Sequence, residues 1–173
     1  MLRVLALLTA LLAAPVAVAG ALTGTFASID GGTLSLEDWR GRPVLVTNTA
    51  SRCAFTGQYD ALQALYDRFR ERGLVVLAVP SNDFRQELAT AGEVKDFCEV
   101  NFGLDIPMTD ITSVRGETAH PFYRALKAGA GFEPGWNFTK VLIGPDGRFV
   151  AAWGPTVRPE AAAIVGRIED LLE

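Results

Sequence analysis

Thiols and imidazoles are scarce in this chain of 173 residues, which holds two cysteines, Cys53 and Cys98, and one histidine, His120. Zinc is held by at least three such side chains or carboxylates at ligand spacing, and no group of that kind can be read here, so no metal site is expected. The residue three places after Cys53 is Thr56, which removes the C-x-x-C pattern of thiol–disulfide oxidoreductases. A copper-binding redoxin needs paired cysteines with a nearby histidine, and the lone His120 argues against it. Charge of either sign is not in excess: the formal balance is −4, giving no electrostatic reason to expect nucleic acid or an anionic membrane as partner. Beyond the first nineteen residues, no apolar run approaches the eighteen that a membrane span requires. Internal repeats, low-complexity tracts and linkers are also missing.

Residues 1–19 differ from the rest. Met1-Leu2-Arg3 supplies a positive charge, Val4 to Ala14 is almost wholly apolar, and Ala17-Val18-Ala19 before Gly20 is a small-x-small cleavage site. This is the pattern of a secretory signal peptide, and export, most simply to a periplasm, is expected. No cysteine precedes Cys53, so no thiol is offered for lipid attachment and no membrane anchor is expected. Residues 20–173 then form one domain with a single core.

The chain is organised around Val44 to Thr56. The β-branched, apolar run Val44-Leu45-Val46-Thr47 reads as a buried strand, and a helical pattern begins near Gln58, so Cys53 lies at a strand-to-helix handover. Unpartnered amides at a helix start favour a thiolate over a thiol, which would make Cys53 a nucleophile. The alternative is a buried cysteine acting as a small hydrophobe.

Upstream, Gly24–Ala27 and Thr33–Leu36 flank Asp30-Gly31-Gly32 as a hairpin, and Glu37–Gly41 reads as a short helical turn or loop. Downstream, a helix over Gln58–Arg72 closes at Gly73, and Leu74–Val79 is a second apolar strand ended by Pro80. That unit predicts a parallel strand pair. A polar loop, Ser81 to Glu87, leaves the same sheet edge as Cys53, where sites in open α/β sheets are built. Gly92–Phe102 is a helix with Val94, Phe97, Cys98 and Phe102 on one face, so Cys98 is expected to be buried. Ile106 onward reads as loop. Ala119–Ala128 is a short helix, Gly129–Gly135 a connection, and Phe138–Ile143 with Arg148–Trp153 a hairpin around Gly144-Pro145-Asp146-Gly147. Pro159 opens a last helix whose stripe is Ala161, Ile164, Val165, Ile168, Leu171 and Leu172. The order predicts an α/β, thioredoxin-like fold: a central mixed sheet flanked by helices, with an N-terminal β-hairpin.

Three segments carry residues suited to chemistry: Ala50-Ser51-Arg52-Cys53-Ala54-Phe55-Thr56, the loop with Gln86-Glu87, and Gly135-Trp136-Asn137-Phe138-Thr139-Lys140. Together, in this order and spacing, they resemble the glutathione peroxidase family over essentially the whole mature chain. The resemblance implies that Cys53 is the peroxide-reacting residue and that Gln86, Trp136 and Asn137 complete the catalytic group. The chemistry suits these types: a thiolate attacks the O–O bond and becomes a sulfenic acid. An indole N–H and two amides donate to the thiolate and the departing oxygen without reacting.

Phe97-Cys98-Glu99-Val100-Asn101-Phe102-Gly103 resembles the surroundings of the resolving cysteine in cysteine-containing, thioredoxin-dependent members of the family. That likeness implies a Cys53–Cys98 disulfide formed in each cycle and opened by a dithiol reductant. Because Cys98 lies on an apolar helical stripe, the helix is expected to unwind partly before the sulfurs meet. A purely structural disulfide, worth ~4 kcal/mol in the chain-entropy model, is the rival reading. A non-catalytic peroxide sensor is another.

The expected partners are a hydroperoxide substrate and, as reductant, a thioredoxin-like protein rather than glutathione. No cluster of basic residues near the motifs is expected to hold the carboxylates of glutathione. The brief Gly129–Gly135 connection points to a monomer. His120 reads as a surface or helix-entry residue. Departures from the family pattern are Ala54 for glycine, Ser81 for a frequent cysteine, Asp83 for a common glutamine, and Leu88-Ala89 for Pro-Gly after a loop one residue shorter. A carboxylate facing Cys53 would disfavour the thiolate, so Asp83 is expected to point away.

Overall fold

The computed structural model describes residues 21–173, so the leader expected over residues 1–19 lies outside the described residues. β1 (Thr25–Ala27) and β2 (Thr33–Ser35) form the expected antiparallel hairpin. The Ser35 hydroxyl accepts the Glu37 amide and starts a 3-10 turn over Leu36–Trp39. β3 (Val44–Thr49) follows, buried along its whole length. α1 (Gln58–Phe69) ends in a 3-10 turn at Arg70–Arg72, and Gly73, at φ 113°, lets the chain reverse into β4 (Val75–Pro80).

α2 (Ala91–Phe102) begins with a capping box in which the Thr90 hydroxyl accepts the Glu93 amide and the Glu93 carboxylate accepts the Thr90 amide. α3 (Pro121–Ala130) runs two residues past its expected end, and Pro121 occupies its first turn. β5 (Lys140–Ile143) and β6 (Phe149–Trp153) are the final hairpin, and α4 (Ala162–Leu171) closes the chain.

Two boundaries differ from expectation for local reasons. The strand expected from Phe138 starts at Lys140, because Phe138 holds a left-handed φ of 57° that no strand residue adopts. The last helix starts at Ala162, with Ala161 as its extended N-cap, rather than at Pro159. The stretch after Ile106 carries no helix until α3, yet it is pinned. Met108 bridges Ala78 in parallel and Thr109 bridges Ser28 antiparallel, strapping the hairpin to β4.

The sheet order is β4-β3-β5-β6, with β3 parallel to β4 and β5 antiparallel to both β3 and β6. Alternate strand residues serve two cores. Leu45, Val76 and Leu142 pack with Leu62 and Leu65 of α1, Val94 and Cys98 of α2, and Ile164 and Ile168 of α4. Val44, Val46, Val75, Leu77, Val141 and Ile143 face Phe122 and Leu126 of α3 with Phe26 and Leu36 of the hairpin region. The central strands are therefore apolar on both sides, which is why their sequences read as unbroken hydrophobic runs.

His120 is the helix-entry residue expected. Its Nδ1 accepts the Phe122 amide at 3.3 Å, so Nε2 carries the proton and donates to the Thr25 carbonyl at 3.0 Å, while the ring stacks on Phe26 with centroids 3.9 Å apart. Burial lowers its pKa. It is a clasp between α3 and the hairpin, remote from any ligand group.

Lys140 is the oddity of the sheet. Its ammonium is fully buried and donates to Gln58 Oε1 and to the carbonyls of Val157, at 2.7 Å, and Pro155. This single side chain ties β5 to the start of α1 and to the segment before α4. Burial lowers its pKa from 10.5 to about 8. Between those values the folded state binds fewer protons than the unfolded chain, so this residue's contribution to stability rises with pH. Denaturant unfolding of the wild type and Lys140→Met should show it: the wild-type stability minus that of the variant increases from pH 8 to 10.5 and is flat below.

Candidate active site

The topology gathers the three sequence segments at one sheet edge. β3 and β4 end there because they run parallel, and β5 begins there because it runs antiparallel to β3. The ladders extend past the strands: the Ser81 amide donates to the Thr49 carbonyl at 3.0 Å, and the Phe138 amide to that of Asn48 at 2.6 Å. Cys53, Gln86 and Trp136-Asn137 thus leave adjacent strand ends.

Gln86 and Asn137 meet directly, Asn137 Nδ2 donating to Gln86 Oε1 at 2.9 Å. The loop differences noted in the sequence do not prevent this pairing. Asn137 is fully buried, Cys53 is 4% exposed, and Trp136 is 41% exposed. The Trp136 carbonyl accepts Asn48 Nδ2 at 3.1 Å and Thr139 Oγ1 at 2.9 Å, which fixes the backbone on which the indole stands. Among the described residues, two that are not glycine hold left-handed backbones, Arg85 at φ 58° and Phe138 at φ 57°. They flank the two amides, one preceding Gln86 and the other following Asn137. Such conformations cost of order 1–3 kcal/mol each and persist where surrounding structure imposes them.

The Cys53 loop is clamped by the next loop at two consecutive residues. The Arg52 amide donates to the Gln86 carbonyl at 2.9 Å, and the Ser51 amide donates to Glu87 Oε1, also at 2.9 Å. Glu87 Oε1 accepts the Leu88 amide as well, and the Glu87 amide donates to Asn82 Oδ1. The carboxyl is buried, its Oε2 has no protein partner, and burial pushes its pKa up despite the hydrogen bond from Ser51. The sequence reading quoted Gln86-Glu87 as a motif but assigned a role only to Gln86. The signal was a carboxylate adjoining a site amide, and only the fold shows what it grips.

The helix-start argument for Cys53 does not hold as drawn. α1 begins at Gln58, five residues beyond Cys53, and its first amides are occupied: Gln58 donates to the Phe55 carbonyl and Tyr59 to that of Thr56. The dipole effect fades within one turn, so the start of α1 is too far along the chain to serve Cys53 as drawn.

The Asp83 carboxylate, expected to point away from Cys53, is held by the segment at residues 113–115. It accepts the amides of Val114 at 2.6 Å and Arg115 at 3.1 Å and the Ser113 hydroxyl. Near the motifs, where no basic cluster is expected, Arg52, Arg85 and Arg115 are each exposed.

Cys98 is 1% exposed, in the same core cluster as Cys53, and both thiols are free. Burial pushes the Cys98 thiol up to about 11, with the Tyr59 hydroxyl pulling the other way. Cys98 also lines a cleft of about 270 Å³ with Lys95, Glu99 and Met108. No group of residues that could hold a metal ion occurs among the described residues.

A family model described as glutathione peroxidase matches residues 22–127. The hydroperoxy fatty acid reductase gpx1 of Synechocystis sp. is 40% identical over 84% of this chain and 91% of its own length. Glutathione peroxidase 7 of Homo sapiens is 40% identical over 82% of this chain and 80% of its own. Among solved structures, T. cruzi GPX1 superposes with a TM-score of 0.66 at 31% identity, covering 86% of this chain and 93% of that one. A thiol:disulfide interchange protein from Chlorobium tepidum, at 18% identity and a TM-score of 0.67 over 92% of this chain and 100% of its own, shares the thioredoxin-like fold.

The clamp yields a test. Glu87→Ala removes the acceptor of the buried Ser51 amide and the part-buried Leu88 amide and should destabilise the protein by about 1–3 kcal/mol. Glu87→Gln, which keeps an acceptor oxygen, should lose less. Thermal unfolding checks the order, and a Glu87→Ala variant as stable as the wild type would show that the clamp is not needed.

Proposed function

The chain belongs to the glutathione peroxidase family and is a thiol peroxidase acting on hydroperoxides, and from that premise we propose that its cycle runs through Cys53 and Cys98. The Cys53 thiolate attacks one peroxide oxygen. The O–O bond breaks, the sulfur becomes a sulfenic acid, and the other oxygen leaves as an alcohol or water after taking a proton. Gln86, Asn137 and the Trp136 indole serve as neutral donors to the thiolate and the departing oxygen. The observation that carries this reading is the Asn137–Gln86 hydrogen bond, which joins residues 51 positions apart beside the loop of Cys53.

Resolution then follows by attack of the Cys98 sulfur on the Cys53 sulfenic acid, forming the S–S bond and releasing water. A dithiol protein of the thioredoxin type returns both sulfurs to thiols and is itself oxidised to a disulfide. The raised pKa of buried Cys98 supports a resting state in which it is unreactive, with a partial opening of α2 required before the sulfurs meet.

The name of the Synechocystis relative, hydroperoxy fatty acid reductase, supports organic hydroperoxides as substrates beside hydrogen peroxide. Export through the leader at residues 1–19 and a monomeric state complete the proposal. The three arginines around the site leave glutathione open as a second reductant.

Cysteine variants test the cycle. Cys53→Ser should lose all turnover. Cys98→Ser should consume one equivalent of peroxide, accumulate a sulfenic acid that dimedone traps, and lose thioredoxin-driven turnover. Mass spectrometry and reductant consumption read these outcomes. Full thioredoxin-driven turnover in Cys98→Ser would overturn the resolving role.

A further inference from the structure

Large apolar side chains are exposed at only two described positions, Val100 on α2 and Trp136 at the site. Trp136 is not isolated. The Phe84 ring lies 5.2 Å from it, tilted by 48°, and the Arg115 guanidinium stands 5.3 Å above the Phe84 centroid. The result is a surface strip that starts at the indole and proceeds through a second aromatic ring to a cation.

That cation is unspent. The Arg115 guanidinium forms no salt bridge among the described residues, and Asp83 and Glu133 on the adjoining segments hold other partners. Asp83 is saturated by Ser113 and the amides of Val114 and Arg115. Glu133 accepts the Gly116 amide and the Lys127 ammonium, both at 3.0 Å. Arg52 and Arg85, exposed on the neighbouring loops, add positive charge to the same side.

Resting on the peroxidase reading above, we propose that this strip binds the tail of a fatty-acid hydroperoxide. The acyl chain covers the Trp136 and Phe84 rings, and the carboxylate pairs with Arg115. The fit is chemical. Exposed aromatic surface gains by covering with an acyl chain, and guanidinium with carboxylate is a directional, charge-assisted pair. An esterified or neutral hydroperoxide would keep the first contact and lose the second. Arg115 is then a specificity residue, acting on the far end of the substrate and not on the O–O bond.

The test compares linoleic acid hydroperoxide with its methyl ester, both below the concentration at which they aggregate, using full-length enzyme and a dithiol reductant. For Arg115→Gln, the acid-to-ester ratio of kcat/KM should fall about fivefold, the scale of a partly exposed ion pair, with the change in KM. Raised salt should lower the same ratio in the wild type. A second measurement reads binding alone: decanoate should quench tryptophan fluorescence of the wild type, and less so in Arg115→Gln. An unchanged ratio, or decanoate quenching indifferent to Arg115, overturns the proposal even when hydrogen peroxide is turned over. Wild type that turns over neither hydrogen peroxide nor either linoleic hydroperoxide instead defeats the peroxidase reading, and this inference with it.

Discussion

Strand β3 is hydrogen-bonded on both sides, to β4 running the same way and to β5 running the other way. This pairing brings two strand ends and one strand start to a single edge. Cys53, Gln86 and Asn137 are 33 and 51 residues apart along the chain, so no local preference could unite them. The ladder does so because every residue of β3 and β4 is buried, and a slip of one position would drive each side chain into the opposite core, among neighbours it does not fit. The register that secures the cores therefore also sets the site.

On this scaffold the site is held by backbone more than by side-chain packing. Carbonyls and amides of residues 48, 51, 52, 86 and 136 carry the contacts that link the loops. Left-handed residues on either side of the amide pair mark where the chain departs from ordinary conformations to aim Gln86 and Asn137 at each other. The two cores and the buried Lys140 tie supply the rigidity that keeps those conformations in place.

Much of this was legible beforehand. Unbroken apolar runs identified β3 and β4, helical spacing identified α1, α2 and α4, and Gly144 to Gly147 located the last turn. The residue types Cys53, Gln86, Trp136 and Asn137 stood out by motif. What was not legible depended on tertiary geometry. Phe138 looks like a strand residue by type, yet its backbone is bent by the pairing of its amide to Asn48. Glu87 looked like solvated polarity beside Gln86, and its burial shows only when the two loops close together. Arg115 lies 30 residues beyond Arg85 in a segment without periodicity, and the strap to β4 and the hairpin carries it to the site. The helix-start argument for Cys53 failed because turns intervene between the cysteine and α1, and a turn leaves no periodic trace.

The paired amides and the indole have a further consequence. None of these groups gains or loses a proton in ordinary aqueous conditions. A peroxide arriving in acidic or alkaline surroundings therefore meets the same donors in the same orientation. A histidine in their place would be rewired by each swing in acidity. In the proposed cycle, a constellation without titrating donors leaves the sulfur as the acid–base variable among the reacting groups.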